Sequence, residues 1–285
     1  MSRIHLFTNK FKQVDNALDE VILEPLLSFG QHGSGFEELH RPTALCFTKD
    51  GSILVSDTGN NRLQLFNAEG KHLSSVGGPG SELGQFQMPK GLCVDNESGT
   101  VYVCDQGNRR VQILNENLVA VGSFGSALGE DGTPLLVQPE CVTITGEKDL
   151  VVGDISNGHI NIFTPKGHFL VSIANEVNEH GTRIITEPFG LCAFGRFQPV
   201  VFVCDKATGV HLFSGEQETA INRVVTSVGQ ALLFEDPTSV AVRLDGRAIF
   251  VCDRSRQRLQ VFAPLWEVSD QRKLAGAAST GVFVQ

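Results

Sequence analysis

Long apolar runs are missing from this sequence of 285 residues, although 41% of its residues are hydrophobic. No stretch approaches the roughly 20 apolar residues that a membrane-spanning helix needs. The N-terminal residues also lack the apolar region and small-residue cleavage site of a signal peptide. We therefore expect a cytoplasmic protein with no membrane partner, and enough apolar residues to bury a sizeable core.

Positive charge is also scarce. Lysine and arginine number 23 against 32 aspartates and glutamates, which gives a net charge of -9 and a pI of about 5.4. No global positive field draws in polyanions, so DNA is not an expected partner. A nucleic-acid site would need a local cluster of basic residues.

Metal and redox motifs are absent. The seven cysteines are odd in number and none are two residues apart, which disfavours zinc sites and redox pairs. All lie in apolar, strand-like runs and are expected to be buried and reduced. No phosphate loop, nucleophile elbow or metal-spaced histidines occur. We expect neither a cofactor nor enzyme activity. The cysteines are Cys46, Cys93, Cys104, Cys141, Cys192, Cys204 and Cys252.

An internal repeat is the main positive signal. Five units each begin at a proline and contain an aspartate in step with it, and successive prolines are 47, 50, 49 and 49 residues apart. The prolines that start blades 1 to 5 are Pro42, Pro89, Pro139, Pro188 and Pro237. The corresponding aspartates are Asp57, Asp105, Asp154, Asp205 and Asp253.

Each unit predicts four short strands. In the first unit, an apolar run follows Pro42, a second run ends at Asp57, and RLQLF and HLSSV follow after turns. Alternating apolar and polar residues in RLQLF are typical of a half-buried strand. Four strands at this period favour an all-β propeller. We expect the aspartate carboxylate to accept N–H groups two residues on, with the turn glycine at positive φ.

Three features give the units a family resemblance: a glycine-rich lead into the proline, a second strand ending in Asp, and a turn leading into Arg-x-Gln-x-Phe. They resemble NHL repeats, closely in blades 1, 2 and 5 and more weakly in blades 3 and 4. The resemblance implies a six-bladed propeller, like the C-terminal domain of TRIM-NHL (RING, B-box, coiled-coil) ubiquitin ligases. It covers nearly the whole chain and predicts a single domain over residues 1–285.

The blade count leaves two interpretations open. Five units look complete, residues 1–30 supply two strands of a partial blade, and residues 264–280 look irregular before a last strand-like segment at 281–285. The chain is either a fragment of a longer protein, which we favour, or a propeller closed by residues that the pattern does not assign. Upstream RING, B-box and coiled-coil regions would follow only from the first interpretation.

Some propeller enzymes hold a divalent metal in the central channel by oxygen ligands from the inner strands, and the first residues of the inner strands are the corresponding positions in this chain. The set contains one carboxylate and one lysine, so it makes a poor cation cage. No metal site is predicted. The five positions are Thr43, Lys90, Glu140, Phe189 and Thr238.

One face of the ring is expected to be basic on blades 5, 1 and 2, because the first two strands of a blade are antiparallel and bring the lead and the Asp turn to the same side. Arg109, Arg254 and Arg256 lie at turn tips, whereas for Arg62, Arg110 and Arg258 pairing within the propeller or simple solvation is an equally good interpretation. Blades 3 and 4 offer mainly carboxylates. The candidate partner-binding residues are Arg41, Arg62, Lys90, Arg109, Arg110, Arg254, Arg256 and Arg258.

Two functions follow as hypotheses. The first is a protein-interaction platform, the substrate- or partner-binding domain of a TRIM-NHL-like RING-type E3 ubiquitin ligase. The second is a single-stranded RNA-binding module in post-transcriptional regulation, held by phosphate contacts to the basic residues.

Overall fold

The computed structural model describes most of the chain, and almost all of its regular structure is β-strand. The described residues are 3–12, 20–129, 132–173, 185–195, 200–214, 223–227, 234–242, 249–256 and 258–262. Within them lie 23 β-strands and two single-turn 3₁₀ helices.

Two hairpin strands come first, followed by a short parallel pair. They are β1 (Ile4–Lys12), β2 (Glu20–Phe29), β3 (Gln31–His32) and β4 (Glu38–Leu39). Ile4 pairs with Phe29 and Lys12 with Glu20, so β1 and β2 pair along their whole length as a two-stranded sheet. That residues 1–30 form a partial blade stays a prediction.

Four antiparallel sheets of four strands follow, and each of the first four repeat units forms one. Blade 1 is β5 (Ala44–Phe47), β6 (Ile53–Asp57), β7 (Arg62–Phe66) and β8 (His72–Val76). Blade 2 is β9 (Pro89–Val94), β10 (Val101–Asp105), β11 (Arg110–Leu114) and β12 (Ala120–Phe124). Blade 3 is β13 (Pro139–Ile144), β14 (Leu150–Asp154), β15 (His159–Phe163) and β16 (Phe169–Ser172). Blade 4 is β17 (Pro188–Phe194), β18 (Val200–Asp205), β19 (Gly209–Ser214) and β20 (Arg223–Ser227).

The fifth unit forms a sheet of three strands within the described residues: β21 (Pro237–Val242), β22 (Ile249–Asp253) and β23 (Arg258–Phe262). The all-β propeller is confirmed. The six-bladed type with five complete blades is wrong for the described part of the chain, which has four complete blades. The segments 264–280 and 281–285 lie outside the described residues.

The core lies between neighbouring blades, because a single sheet has two apolar faces and cannot cover either by itself. Leu54 and Leu63 of blade 1 pack with Leu92 and Val103 of blade 2 in one buried cluster. Equivalent clusters join blades 2 and 3, blades 3 and 4, and blades 4 and 5. The clusters fix neighbouring blades side by side and so align their turns on a common face.

Glycine in the inner strands lets two blades approach at backbone level. A Cβ on Gly91 would stand 2.7 Å from Cys141 Cα and 2.8 Å from the Glu140 carbonyl oxygen. A Cβ on Gly190 would stand 2.8 Å from both Ser239 Cα and the Thr238 carbonyl oxygen. These contacts involve main-chain atoms, so a side chain at either glycine would force the blades apart.

Candidate interaction face

A buried aspartate at the end of each second strand organises one face of the propeller. In blade 1, Asp57 is fully buried and accepts the His40 N–H at 2.6 Å through Oδ1. Its Oδ2 accepts Asn60 Nδ2 and Arg62 Nε, both at 2.8 Å. Asp57 thereby joins the lead segment, residues 30–41, to the turn after the second strand.

Blade 2 repeats the arrangement around Asp105. Oδ1 accepts the Gln87 N–H at 2.7 Å, and Oδ2 accepts Asn108 Nδ2 at 2.9 Å, Arg110 Nε at 2.8 Å and Gln112 Nε2 at 3.0 Å. The lead segment here is residues 77–88. Two lead segments and two turns, residues 58–61 and 106–109, form what we call the interaction face of blades 1 and 2.

Blades 3 and 4 keep the aspartate and change its partners. Asp154 accepts N–H groups from Val137 and Gln138 of its lead and from Ser156. Asp205 accepts Thr186 and Glu187 N–H of its lead and Ala207 and Thr208 N–H of its turn. The expected bond to an N–H two residues on is therefore confirmed in these two blades.

In blades 1 and 2 the predicted turn geometry is wrong in two respects. The carboxylates bind turn side chains instead of the N–H groups two residues on. The residues at positive φ are Asn61 (54°) and Arg109 (55°), not the turn glycines. Glycine is needed for close approach instead, because a Cβ on Gly59 would stand 2.6 Å from the His40 carbonyl oxygen, which accepts the Gly59 N–H.

Arg62 and Arg110 lie inside this framework. The Arg62 side chain is 15% exposed and bridges Asp57 to the carbonyl oxygens of Gly35 and Glu38. The Arg110 side chain is 11% exposed and bridges Asp105 to the carbonyl oxygens of Glu82 and Gln85. Most of their hydrogen-bonding capacity is used within the blade, so neither offers a partner a free guanidinium.

Three further candidate cations are paired. Arg254 Nε lies 2.7 Å from Asp236 Oδ2, and Arg256 Nε lies 3.3 Å from Glu235 Oε2. Lys90 Nζ lies 3.3 Å from Glu140 Oε1 across the boundary between blades 2 and 3. The Arg258 backbone pairs with Asp253, and its side chain lies outside the description.

Arg41 and Arg109 remain on the surface. Both are exposed, and neither forms an ion pair with any residue that the structure describes. Of the eight basic residues singled out from the sequence, these two keep a guanidinium available on the interaction face. Their role in partner binding stays a prediction.

Exposed apolar side chains on the same face were missed by the sequence pattern. Phe36 is 75% exposed, Leu83 is 50% exposed and Met88 is 43% exposed. Phe36 and Leu83 occupy equivalent places in the two lead segments, three residues before the buried Leu39 and Phe86. A phenylalanine or methionine in a β protein is usually core, and only its place in a glycine-rich lead could have signalled exposure.

The inner end of blades 2 and 3 carries a compact polar cluster. Besides Lys90, Glu140 accepts Gln106 Nε2 through Oε2 at 2.6 Å. Its two oxygens are thus both used by protein donors. Among the described residues, no group of three or more histidine, cysteine, aspartate or glutamate side chains is placed to hold a metal ion.

Burial also sets the ionisation of several core groups. It raises the pKa of Cys104 and Cys204 well above the usual thiol value, and six of the seven cysteines are buried while Cys252 is partly exposed. Burial lowers the pKa of His211, whose Nε2 lies 2.7 Å from Thr208 Oγ1 and whose Nδ1 has no hydrogen-bond partner among the described residues. These thiols are poor nucleophiles, because the thiolate is the reactive form.

Comparison with known proteins supports the repeat assignment. The NHL repeat profile matches residues 39–66 and 86–114, which contain the aspartate framework of blades 1 and 2 described above. Protein lin-41 of Caenorhabditis elegans is 42% identical over 57 residues, 20% of this chain and 5% of that protein. E3 ubiquitin-protein ligase TRIM71 of Rattus norvegicus is 48% identical over 42 residues, 15% of this chain and 5% of that protein.

The chain therefore carries NHL repeats and resembles the NHL domains of TRIM-NHL proteins. Its aligned part spans about 5% of the length of the relatives named above. The activity of those whole proteins belongs to them and comes to this chain only as a proposal.

Solved structures agree on the fold. Virginiamycin B lyase from Staphylococcus aureus, in a catalytically inactive form with quinupristin, superposes with a TM-score of 0.54 over 92% of this chain and 88% of that chain. Identity is 10%, so the likeness concerns the fold alone. Because propellers of this shape include a lyase, the choice between binding and catalysis depends on the residues of the site.

No helix among the described residues is both long and apolar enough to cross a membrane.

Proposed function

We propose that this chain is a protein-interaction platform and that the interaction face of blades 1 and 2 makes the contact. The observation that carries the proposal is the exposure of Phe36, Leu83 and Met88 beside the unpaired Arg41 and Arg109. Aromatic, methionine and arginine side chains are enriched where proteins bind one another.

The framework beneath the face supports this role. Asp57 and Asp105 hold the lead segments through buried hydrogen bonds, so the exposed side chains stand on a fixed backbone. A rigid surface loses little conformational freedom on binding and therefore keeps more of the contact energy as affinity.

Quantitative affinity capture tests the proposal. Phe36→Ser with Leu83→Ser removes the exposed apolar groups of the face, and Val121→Ser with Leu170→Ser removes groups of similar exposure from the outer strands. We expect partners captured from cytoplasmic extract by the wild-type chain to be lost from the first variant and kept by the second. Equal retention by both variants would refute the choice of face, and failure of the wild-type chain to capture any partner beyond a bead control would refute the platform itself.

The finer proposal is that the platform recruits substrates for a RING-type E3 ubiquitin ligase, in the cytoplasm. It rests on the resemblance to TRIM-NHL proteins. Ubiquitin transfer by such a ligase requires a RING domain, which the described residues do not form. Partners that depend on Phe36 and Leu83 should be ubiquitylated less in cells that produce the Phe36→Ser, Leu83→Ser variant. Unchanged ubiquitylation of those partners would separate the platform from the ligase role.

Single-stranded RNA is the second candidate, favoured by the exposed Arg41 and Arg109. Two phosphate contacts give a slope of about -1.4 in log affinity against log salt, since each contact on a single strand contributes about 0.7. Such weak electrostatics favour a protein partner. Fluorescence anisotropy with short RNAs decides: sequence-selective binding at physiological salt that Arg41→Gln plus Arg109→Gln abolishes would put RNA first.

A further inference from the structure

The fourth residue after the organising aspartate is left-handed in four successive blades. Blades 3 and 4 place glycine there, Gly158 with φ 67° and Gly209 with φ 104°. Blades 1 and 2 place Asn61 and Arg109 at φ 54° and 55°. A left-handed conformation costs an L-residue about 1–2 kcal/mol, less for asparagine, and glycine avoids most of this cost.

The Arg109 N–H donates to the Gln106 carbonyl oxygen at 3.0 Å, a bond that glycine would make equally well, and the Arg109 side chain adds no ion pair with a described residue to offset the strain. Its side chain is exposed and makes no ion pair with the described residues. Strained residues persist mainly where function uses them. The comparison with Gly158 and Gly209 shows that the turn itself does not require a side chain at this position.

A second strained position is next to it on the face. Arg41 and Met88 precede Pro42 and Pro89 and have φ of 52° and 53°. A residue before proline normally adopts an extended conformation. Met88 is nevertheless held left-handed, with its N–H bonded to Asn61 Oδ1 of blade 1 at 2.8 Å and its side chain 43% exposed.

A groove adjoins two of these left-handed residues, Asn61 and Met88. This cavity of about 490 Å³ between blades 1 and 2 is lined by the apolar Met88, Phe86 and Pro79 and by the polar Asn61, Ser81 and Gln87. Asn108 donates to the carbonyl oxygen of Gly80, another lining residue, at 2.9 Å, and we infer from this contact that the next residue, Arg109, reaches the rim of the groove. The lining itself carries no charge.

We propose that this groove binds a linear segment of a partner protein that presents one apolar side chain next to one carboxylate. The apolar side chain packs against Met88 above Phe86, and the carboxylate accepts two N–H groups from the Arg109 guanidinium, the geometry in which arginine holds carboxylates best. The exposed Glu82 follows the lining residue Ser81, so a run of acidic residues would be repelled and a single carboxylate is preferred. The inference rests on the protein-interaction function proposed above and specifies its ligand.

The test selects ligands from a displayed library of random 12-residue peptides on the purified chain, followed by anisotropy with the selected peptides. We expect selected sequences to carry Asp or Glu within two residues of a large aliphatic side chain. Arg109→Gly and Met88→Gly should each weaken their binding at least tenfold. Glycine is comfortable at both backbone positions, so both variants should fold at least as stably as the wild type. Lys71→Ala removes an exposed charge from the turn between β7 and β8 of blade 1. This variant is the matched control and should bind normally.

A charge exchange separates direct pairing from general effects. Arg109→Glu should lose the selected peptide and regain binding when its carboxylate is replaced by lysine. Peptides that bind all variants equally would overturn the groove assignment while leaving the platform function in place. Failure to select any peptide, or displacement of selected peptides by single-stranded RNA at physiological salt, would overturn a peptide ligand for this groove, and the capture experiment above would then judge the platform separately.

Discussion

Arg109 and Arg110 are adjacent in sequence and should respond in opposite ways to removal of their side chains. Arg110 is mostly buried, and its Nε bonds to the fully buried Asp105 at 2.8 Å. Its Nη2 donates to the carbonyl oxygens of Glu82 at 2.8 Å and Gln85 at 3.0 Å. Arg109 has none of these contacts and holds a strained backbone.

The magnitude for Arg110→Ala follows from these contacts. Removing one partner of a buried ion pair costs about 3–5 kcal/mol, and the slight exposure of Arg110 together with the three other donors to Asp105 places this case near about 3 kcal/mol. For a chain of this size, we expect a fall in melting temperature of about 6–10 °C. Arg109→Gly should instead leave stability unchanged or raise it by up to about 1 kcal/mol, because the strain disappears.

Thermal unfolding followed by circular dichroism, with urea unfolding as a second measure, checks both values. Arg110→Lys is an informative third variant, since it keeps the charge and loses the fork that reaches the carbonyl oxygens, and it should recover only part of the loss. Similar destabilisation by Arg109→Gly and Arg110→Ala would refute the division of the two arginines into a surface residue and a framework residue.

Further predictions concern the core. Burial lowers the pKa of His211 below its usual value. As the pH falls below about 6.5, the unfolded chain binds a proton that the folded chain does not, so the free energy of unfolding decreases. His211→Gln should reduce the fall in melting temperature between pH 7.5 and 5.5, and an unchanged slope would contradict this origin. Gly91→Ala should cost about 1–3 kcal/mol because its Cβ meets the backbone of blade 3, whereas Gly78→Ala faces open space and should cost little, as urea unfolding would show. Ellman's reagent at pH 8 should titrate Cys252 first in the native chain and the six buried thiols only on unfolding; rapid reaction of several thiols would contradict the burial.

The repeat could be predicted from the sequence because proline and aspartate mark the strand boundaries for chemical reasons. Proline cannot donate to a ladder and starts β9, β13, β17 and β21, as expected. Asp57 and its four equivalents end the second strand of every blade, also as expected. Blade 1 departs slightly, since β5 begins at Ala44 instead of Pro42. The spacing of the prolines and aspartates therefore predicted the positions of the strands, but it did not predict the number of complete blades.

The candidate site was harder to predict from the sequence, because it depends on contacts between residues that are far apart in the chain. Arg62 and Arg110 are of a residue type that is common on contact surfaces, yet each donates to carbonyl oxygens 24 to 28 residues earlier in the chain. The exposure of Met88 depends on a left-handed backbone before proline, against the usual preference. Neither property is written in local residue patterns.

The buried aspartate makes each repeat self-contained at this face. Asp57 reaches back 17 residues and Asp105 reaches back 18, so each link joins an aspartate to the lead segment of its own blade and spans less than one repeat period. Duplication of a segment that contains the lead and the blade also duplicates the hydrogen bonds of this aspartate. The copy then needs new contacts only where the faces of its sheet pack against neighbouring blades. Side chains on the rim can then diversify from blade to blade, as Asn61, Arg109, Gly158 and Gly209 do at one position, without a change in the frame that carries them. A single gene segment could in this way supply several binding surfaces to one ring.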